Sequence, residues 1–282
     1  MLLVQGFDHF VVPVNDLVAA EEFYKQIFGG TVVKRNGLNV RQRKHGSIPH
    51  TFITIAGKRI GVYLQDDERE PPKATRGTPT YSFTTTRQGI AEVQRALEAL
   101  KISCDGPVKN SHSFAAESLF FCDPAGNHFA VYLPHGEAGK NATSSERMTS
   151  VGYLELEAPN LSASIKFYEQ VLGFALVGRD IDERTNLPRA TMQMASGQRL
   201  ILTETPFSSK GLVMSRTVPG PHLGFYVAHD NWSAALALLE RLAIPNGDRG
   251  VEAKDRGNDG TAGTYMDDPA GYVIQYITDG MQ

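Results

Sequence analysis

Two short landmarks recur along this chain at almost one spacing. Phe23-Tyr24-Lys25-Gln26 precedes Gly29, and Phe167-Tyr168-Glu169-Gln170 precedes Gly173, an offset of 144 residues (167 − 23). Asp123-Pro124-Ala125-Gly126 returns as Asp268-Pro269-Ala270-Gly271, an offset of 145 (268 − 123). Two unrelated motifs sharing one displacement mark the duplication of a whole domain. A chain of 282 residues has room for two such domains, each with its own core.

Each half divides again. Phe10-Val11-Val12 reads as a strand, after which Asn15 or Asp16 can cap a helix with Ala20, Phe23, Tyr24 and Ile27 on its apolar face. Gly29-Gly30 ends that helix, and strand-like runs follow near residues 31–34, 51–55 and 60–64. The order repeats from Thr80, with a helix at 90–100 and strands near 107–108, 118–121 and 129–133. A third quarter opens at Gly152 with a helix over 161–172, and a fourth opens at His222 with a helix over 232–242. The fold class is therefore α+β, built from four β-α-β-β-β quarters paired into two curved, eight-stranded troughs. Residues 1–135 form the first paired domain, 136–149 a polar linker without periodicity, and 150–282 the second paired domain. One helix covers one face of a short sheet, so the other face must find a partner or a ligand, and alternate residues of every strand point into it.

The composition narrows the function. Hydrophobic residues make up 41% and the net charge is −3, which gives no reason to expect nucleic acid or an anionic membrane as partner. No apolar run approaches the ~20 residues needed to span a bilayer, and the start does not read as a signal peptide. Cys104 and Cys122 lack metal spacing and read as buried thiols, which makes a reducing, cytoplasmic setting the default. No phosphate-binding glycine loop, nucleophile elbow or Cys–His pair stands out. His45, His50, His112 and His135 fall in loop-like stretches and read as solvent-facing, and His128 reads as pointing outward. Asp123 and Asp268 read as side chains that fix their turns through local backbone bonds.

The Asp-Pro-Ala-Gly turn, the strand that follows it and the Phe-Tyr helix closed by glycine resemble the vicinal oxygen chelate superfamily. That group includes glyoxalase I, extradiol ring-cleaving dioxygenases, fosfomycin-resistance enzymes and bleomycin-binding proteins. The likeness covers nearly the whole chain outside the linker, and the four-quarter order is most similar to the two-domain extradiol dioxygenases. It implies ligands on the first strand of each quarter and on the strand after the Asp-Pro turn. In the extradiol enzymes those ligands are two His and one Glu, holding Fe(II) or Mn(II) in the second domain. A divalent ion there takes two neighbouring substrate oxygens.

Those positions fall on His9, Thr80 and Ala130 in the first half. Alanine has no donor atom and one imidazole does not hold a catalytic metal, so no metal centre is expected there. In the second half they fall on Tyr153, His222 and Gln275, a polar but largely neutral set. Tyr265, ahead of the second Asp-Pro turn, matches the tyrosine that hydrogen-bonds the substrate hydroxyl in extradiol enzymes. The histidine expected upstream of it is missing from Arg256-Gly257-Asn258-Asp259-Gly260. The sites implied are thus Tyr265 and His9 as acid–base groups, Tyr63, Thr80 and Glu204 as substrate contacts, and Tyr153, His222 and Gln275 as metal ligands.

Three functions remain open at this point. One is a glyoxalase- or dioxygenase-type enzyme that acts on a small oxygenated molecule, with Fe, Mn, Ni or Zn in a degraded site. The second is a metal-free binding protein of the bleomycin-sequestering type. The third is a metal-free acid–base enzyme. The partner in every case is a small molecule, and a homodimer is a further option because trough-forming quarters often pair between chains.

Overall fold

A computed structural model describes residues 4–41, 48–65, 72, 74–136, 147–205, 221–247 and 262–279. Among the described residues, four helices and sixteen strands follow the expected order. The first quarter comprises β1 (Val4–Val14), α1 (Leu17–Phe28), β2 (Thr31–Asn36), β3 (His50–Ile55) and β4 (Lys58–Leu64). The second comprises β5 (Thr80–Thr85), α2 (Arg87–Ala99), β6 (Cys104–His112), β7 (Ala115–Cys122) and β8 (His128–Pro134). The third comprises β9 (Met148–Ala158), α3 (Leu161–Gln170), β10 (Ala175–Asp182), β11 (Leu187–Gln193) and β12 (Arg199–Glu204). The fourth comprises β13 (His222–Val227), α4 (Trp232–Arg241), β14 (Asn246–Gly247), β15 (Ala262–Asp267) and β16 (Val273–Thr278).

Local chemistry sets the ends of these elements. The Asp16 carboxylate accepts from the amides of Val18 and Ala19 and starts α1. Gly29 ends it in the left-handed region (φ 72°), its amide bonded to the Lys25 carbonyl, and Gly173 has the same turn (φ 73°). The expected linker lies largely in 137–146, outside the described residues, and β9 already begins at Met148.

The sixteen strands form two curved eight-stranded sheets, as expected. Each sheet joins the strands of two quarters, the fourth with the first and the third with the second. One sheet runs β14-β15-β16-β13-β1-β4-β3-β2, and the other runs β10-β11-β12-β9-β5-β8-β7-β6. Residues cluster into two compact units, Val11–Leu154 and Met1–Phe10 with Glu155–Gln282. The first part of β1 therefore packs with the C-terminal half of the chain.

The repeated landmarks touch each other within each unit. Tyr24 of α1 donates its hydroxyl to Asp123 Oδ2 at 3.1 Å, and Tyr168 of α3 donates to Asp268 Oδ2 at 2.9 Å. The other oxygen of each aspartate accepts two turn amides, from Ala125 and Asn127 in one case and from Ala270 and Tyr272 in the other. The aspartates thus fix their turns, as expected, and also tie each turn to a helix. Burial raises both Tyr24 and Tyr168 well above the usual phenol range.

Candidate active site in the trough of the C-terminal unit

On β13, Leu223, Phe225 and Val227 are buried while His222 and Tyr226 are half-buried, so His222, Gly224 and Tyr226 share the opposite face. β16 runs parallel to β13 with Gln275 beside Gly224, and β15 runs antiparallel to β16 with Tyr265 opposite Gln275. Register alone therefore gathers His222, Gln275 and Tyr265 on one surface.

β1 lies next to β13 and brings His9 to the same place. The His9 ring rests where a side chain on Gly224 would be, since a Cβ there would sit 2.3 Å from His9 Cε1. Gly263 makes room in the same way for the Gln275 amide, its hypothetical Cβ lying 2.6 Å from Nε2. Glycine in a strand interior weakens it, and here it permits two polar side chains to lie flat on the sheet.

The imidazoles of His9 and His222 meet through Nε2 atoms 2.9 Å apart, with the rings edge-on at 89°. Asp8 Oδ2 lies 2.6 Å from His9 Nδ1. A carboxylate only accepts, so His9 donates from Nδ1, and with that tautomer its Nε2 accepts from Nε2–H of His222. Tyr265 packs edge-on against His222, centroids 5.4 Å apart. Gln275 is buried, and its Oε1 has no hydrogen-bond partner among the described residues.

The separation of the two imidazole nitrogens is compatible with a shared divalent cation. Two imidazoles bound side by side at about 2.1 Å, near a right angle, bring their nitrogens to about 3 Å, close to the separation seen here. Counting only His, Cys, Asp and Glu, no group of three or more could hold an ion among the described residues. The buried, unsatisfied amide oxygen of Gln275 is a further oxygen donor on the same face, beside Gly224 in register. A buried polar atom without a partner is costly unless something in the functional state satisfies it.

The other expected site residues lie elsewhere. Tyr153 sits on β9, in the other sheet, fully buried against the rings of His112, Phe114 and Tyr132 at 4.8, 5.6 and 5.5 Å. Those rings form one aromatic wall in the N-terminal unit. His112, expected in solvent, is thus a buried part of that wall. Thr80 is buried, its hydroxyl donating to the Gly77 carbonyl. Tyr63 is half-buried on β4 opposite His50. Glu204 is half-buried at the end of β12. Ala130 is buried on β8 beside Ser82. His135 is exposed as expected; His45 and residues 256–260 lie outside the described residues.

A Cys–His pair does exist, contrary to the sequence reading. Cys122 Sγ lies 3.2 Å from His128 Nδ1, beside a cavity of about 480 Å³ lined in part by Phe23, Gln26, Leu100 and Ile102. Burial, aided by the Asp123 charge, pushes this thiol up to about 11, so it is not an activated nucleophile. Cys104 and Cys122 are both half-buried free thiols.

The profile of the Glyoxalase/Bleomycin resistance protein/Dioxygenase superfamily matches residues 6–131 and again 150–276. The chain belongs to this superfamily. The two matches cover both copies of the repeat, and the second takes in His222, Tyr265 and Gln275. Among solved structures, a Bacillus subtilis protein provisionally described as a dioxygenase superposes with a TM-score of 0.72 at 14% identity, covering 99% of this chain and 86% of that one. Glyoxalase I of Zea mays gives 0.63 at 16% identity, with 96% and 92% covered. These likenesses show the superfamily fold. No curated protein matches the chain significantly.

Proposed function

We propose that this superfamily member is a divalent-metal enzyme acting on a small molecule with two neighbouring oxygens, an aromatic diol foremost. His9, His222 and Gln275 would hold the ion, with Fe(II) or Mn(II) suited to imidazole and amide-oxygen donors. The observation that carries this reading is the meeting of two Nε2 atoms 2.9 Å apart, together with the orphaned Oε1 of Gln275. When bound, such an ion supplies Lewis acidity to the substrate oxygens. The protein's own part is positional. Asp8 sets the tautomer of His9, Gly224 and Gly263 let the donors lie flat, and Tyr265 offers a phenol to a substrate hydroxyl. All three ligands are neutral, where extradiol enzymes have a glutamate, so the ion is held less tightly than in a carboxylate site.

Metal analysis tests this. Protein purified without added metal should carry less than one equivalent of Fe, Mn, Ni or Zn. Titration with Mn(II) should then fill one site per chain, and His222→Ala should abolish it. If Mn(II) does not bind while an aromatic diol still does, the trough is instead a metal-free, sequestering pocket. A cytoplasmic location and a homodimer are consistent with this reading and are proposed with it; no helix among the described residues is long and apolar enough to cross a membrane.

A further inference from the structure

We infer that Asp8 is a positioning residue that returns to the site, from behind His9, the negative charge that Gln275 does not provide. The inference rests on the metal reading above. Its basis is the chain of contacts Asp8 Oδ2–His9 Nδ1 at 2.6 Å and His9 Nε2–His222 Nε2 at 2.9 Å. Gln275 presents an amide to the trough, so no ligand in the set carries a charge. A carboxylate that accepts the Nδ1 proton of a ligating histidine fixes the tautomer and orientation of the ring and makes its other nitrogen a better donor. Asp8 is placed to do this. Its side chain is 34% exposed against 8% for His9, so its charge keeps contact with water while its effect is carried inward through the ring. The Gly224 gap adds geometric control, because it gives the ring a seat over the sheet in which Nε2 faces His222.

The consequence is a charge that can be moved. Asp8→Asn should weaken Mn(II) binding by about 10- to 100-fold, the usual effect of losing such an outer partner. Gln275→Glu should tighten it. The Asp8→Asn/Gln275→Glu double variant should return close to the wild-type dissociation constant, because the charge is restored at a different atom. Circular dichroism of each variant confirms that the fold is intact.

A second measurement needs neither a variant nor a metal. Two-bond ¹H–¹⁵N correlation spectra of the metal-free wild type should show His9 protonated at Nδ1. Mn(II) affinity unchanged in Asp8→Asn, or a His9 ring protonated at Nε2 in the wild type, would overturn the role of Asp8. The metal reading would survive either result. If the wild type binds no Mn(II), the metal reading fails and the spectrum alone decides whether Asp8 orients His9.

Discussion

At Gly224 a single methyl group would occupy space held by the His9 ring. Gly224→Ala should displace that ring, cost about 1–3 kcal/mol of stability through overpacking, and weaken Mn(II) binding more than stability accounts for. Isothermal titration beside thermal unfolding separates the two effects, and a variant with full affinity would show that the ring has another seat. The candidate residues of the trough could be named one at a time. His9, His222 and Gln275 stand at fixed places relative to the two repeated landmarks, and Tyr265 precedes a turn that could be read directly. Asp8 was not legible, because neighbours on a strand normally point to opposite faces and adjacency gives no sign of contact. His9 rather than Tyr153 stands beside His222 for a different reason. Each is a first-strand residue, and which first strand lies beside β13 is decided by tertiary pairing.

The helices and turns are where sequence reading came closest, since capping residues and apolar periodicity act locally. The strands were read as shorter than they are, and β1 shows why. Its opening stretch, Val4-Gln5-Gly6-Phe7-Asp8-His9, carries glycine and polar groups that belong to the site, so its strand character was masked. The hydrogen bond between each Phe-Tyr helix and its Asp-Pro turn is an element-scale joint. Tyr168→Phe should leave a buried carboxylate one partner short and cost about 1–3 kcal/mol in urea unfolding. Burial also lifts Asp123 and Asp268 to about 6. An unfolded aspartate titrates near 4, so between those values the folded chain holds protons that the unfolded chain releases. Their contribution to stability therefore falls as pH rises from about 4 to about 6 and is level above that. Asp268→Asn removes one such group and keeps an oxygen for the turn amides. Its stability relative to wild type should rise across that window by up to about 3 kcal/mol. Urea midpoints at pH 4 and pH 7 measure this, and parallel pH curves for the two proteins would contradict it.

At the scale of the whole molecule, duplication was plain in the sequence and the partnering of strands was not. Four similar quarters can be joined in more than one order with each local signal unchanged, because the choice lies in long-range contacts. The C-terminal unit includes Met1–Phe10, and Phe7 packs there against Phe225 with ring centroids 5.6 Å apart. A fragment of residues 150–282 should therefore be poorly folded by circular dichroism. The same fragment with residues 1–14 fused to it through a flexible linker should recover sheet signal and cooperative unfolding. Equal folding of both fragments would show that β1 is dispensable to that unit.

The separation of 213 positions between His9 and His222 sets an order of events during synthesis. His9 must wait until β13 has been made before it meets its counterpart. A product truncated before β13 would leave β1 without that neighbour and His9 without His222.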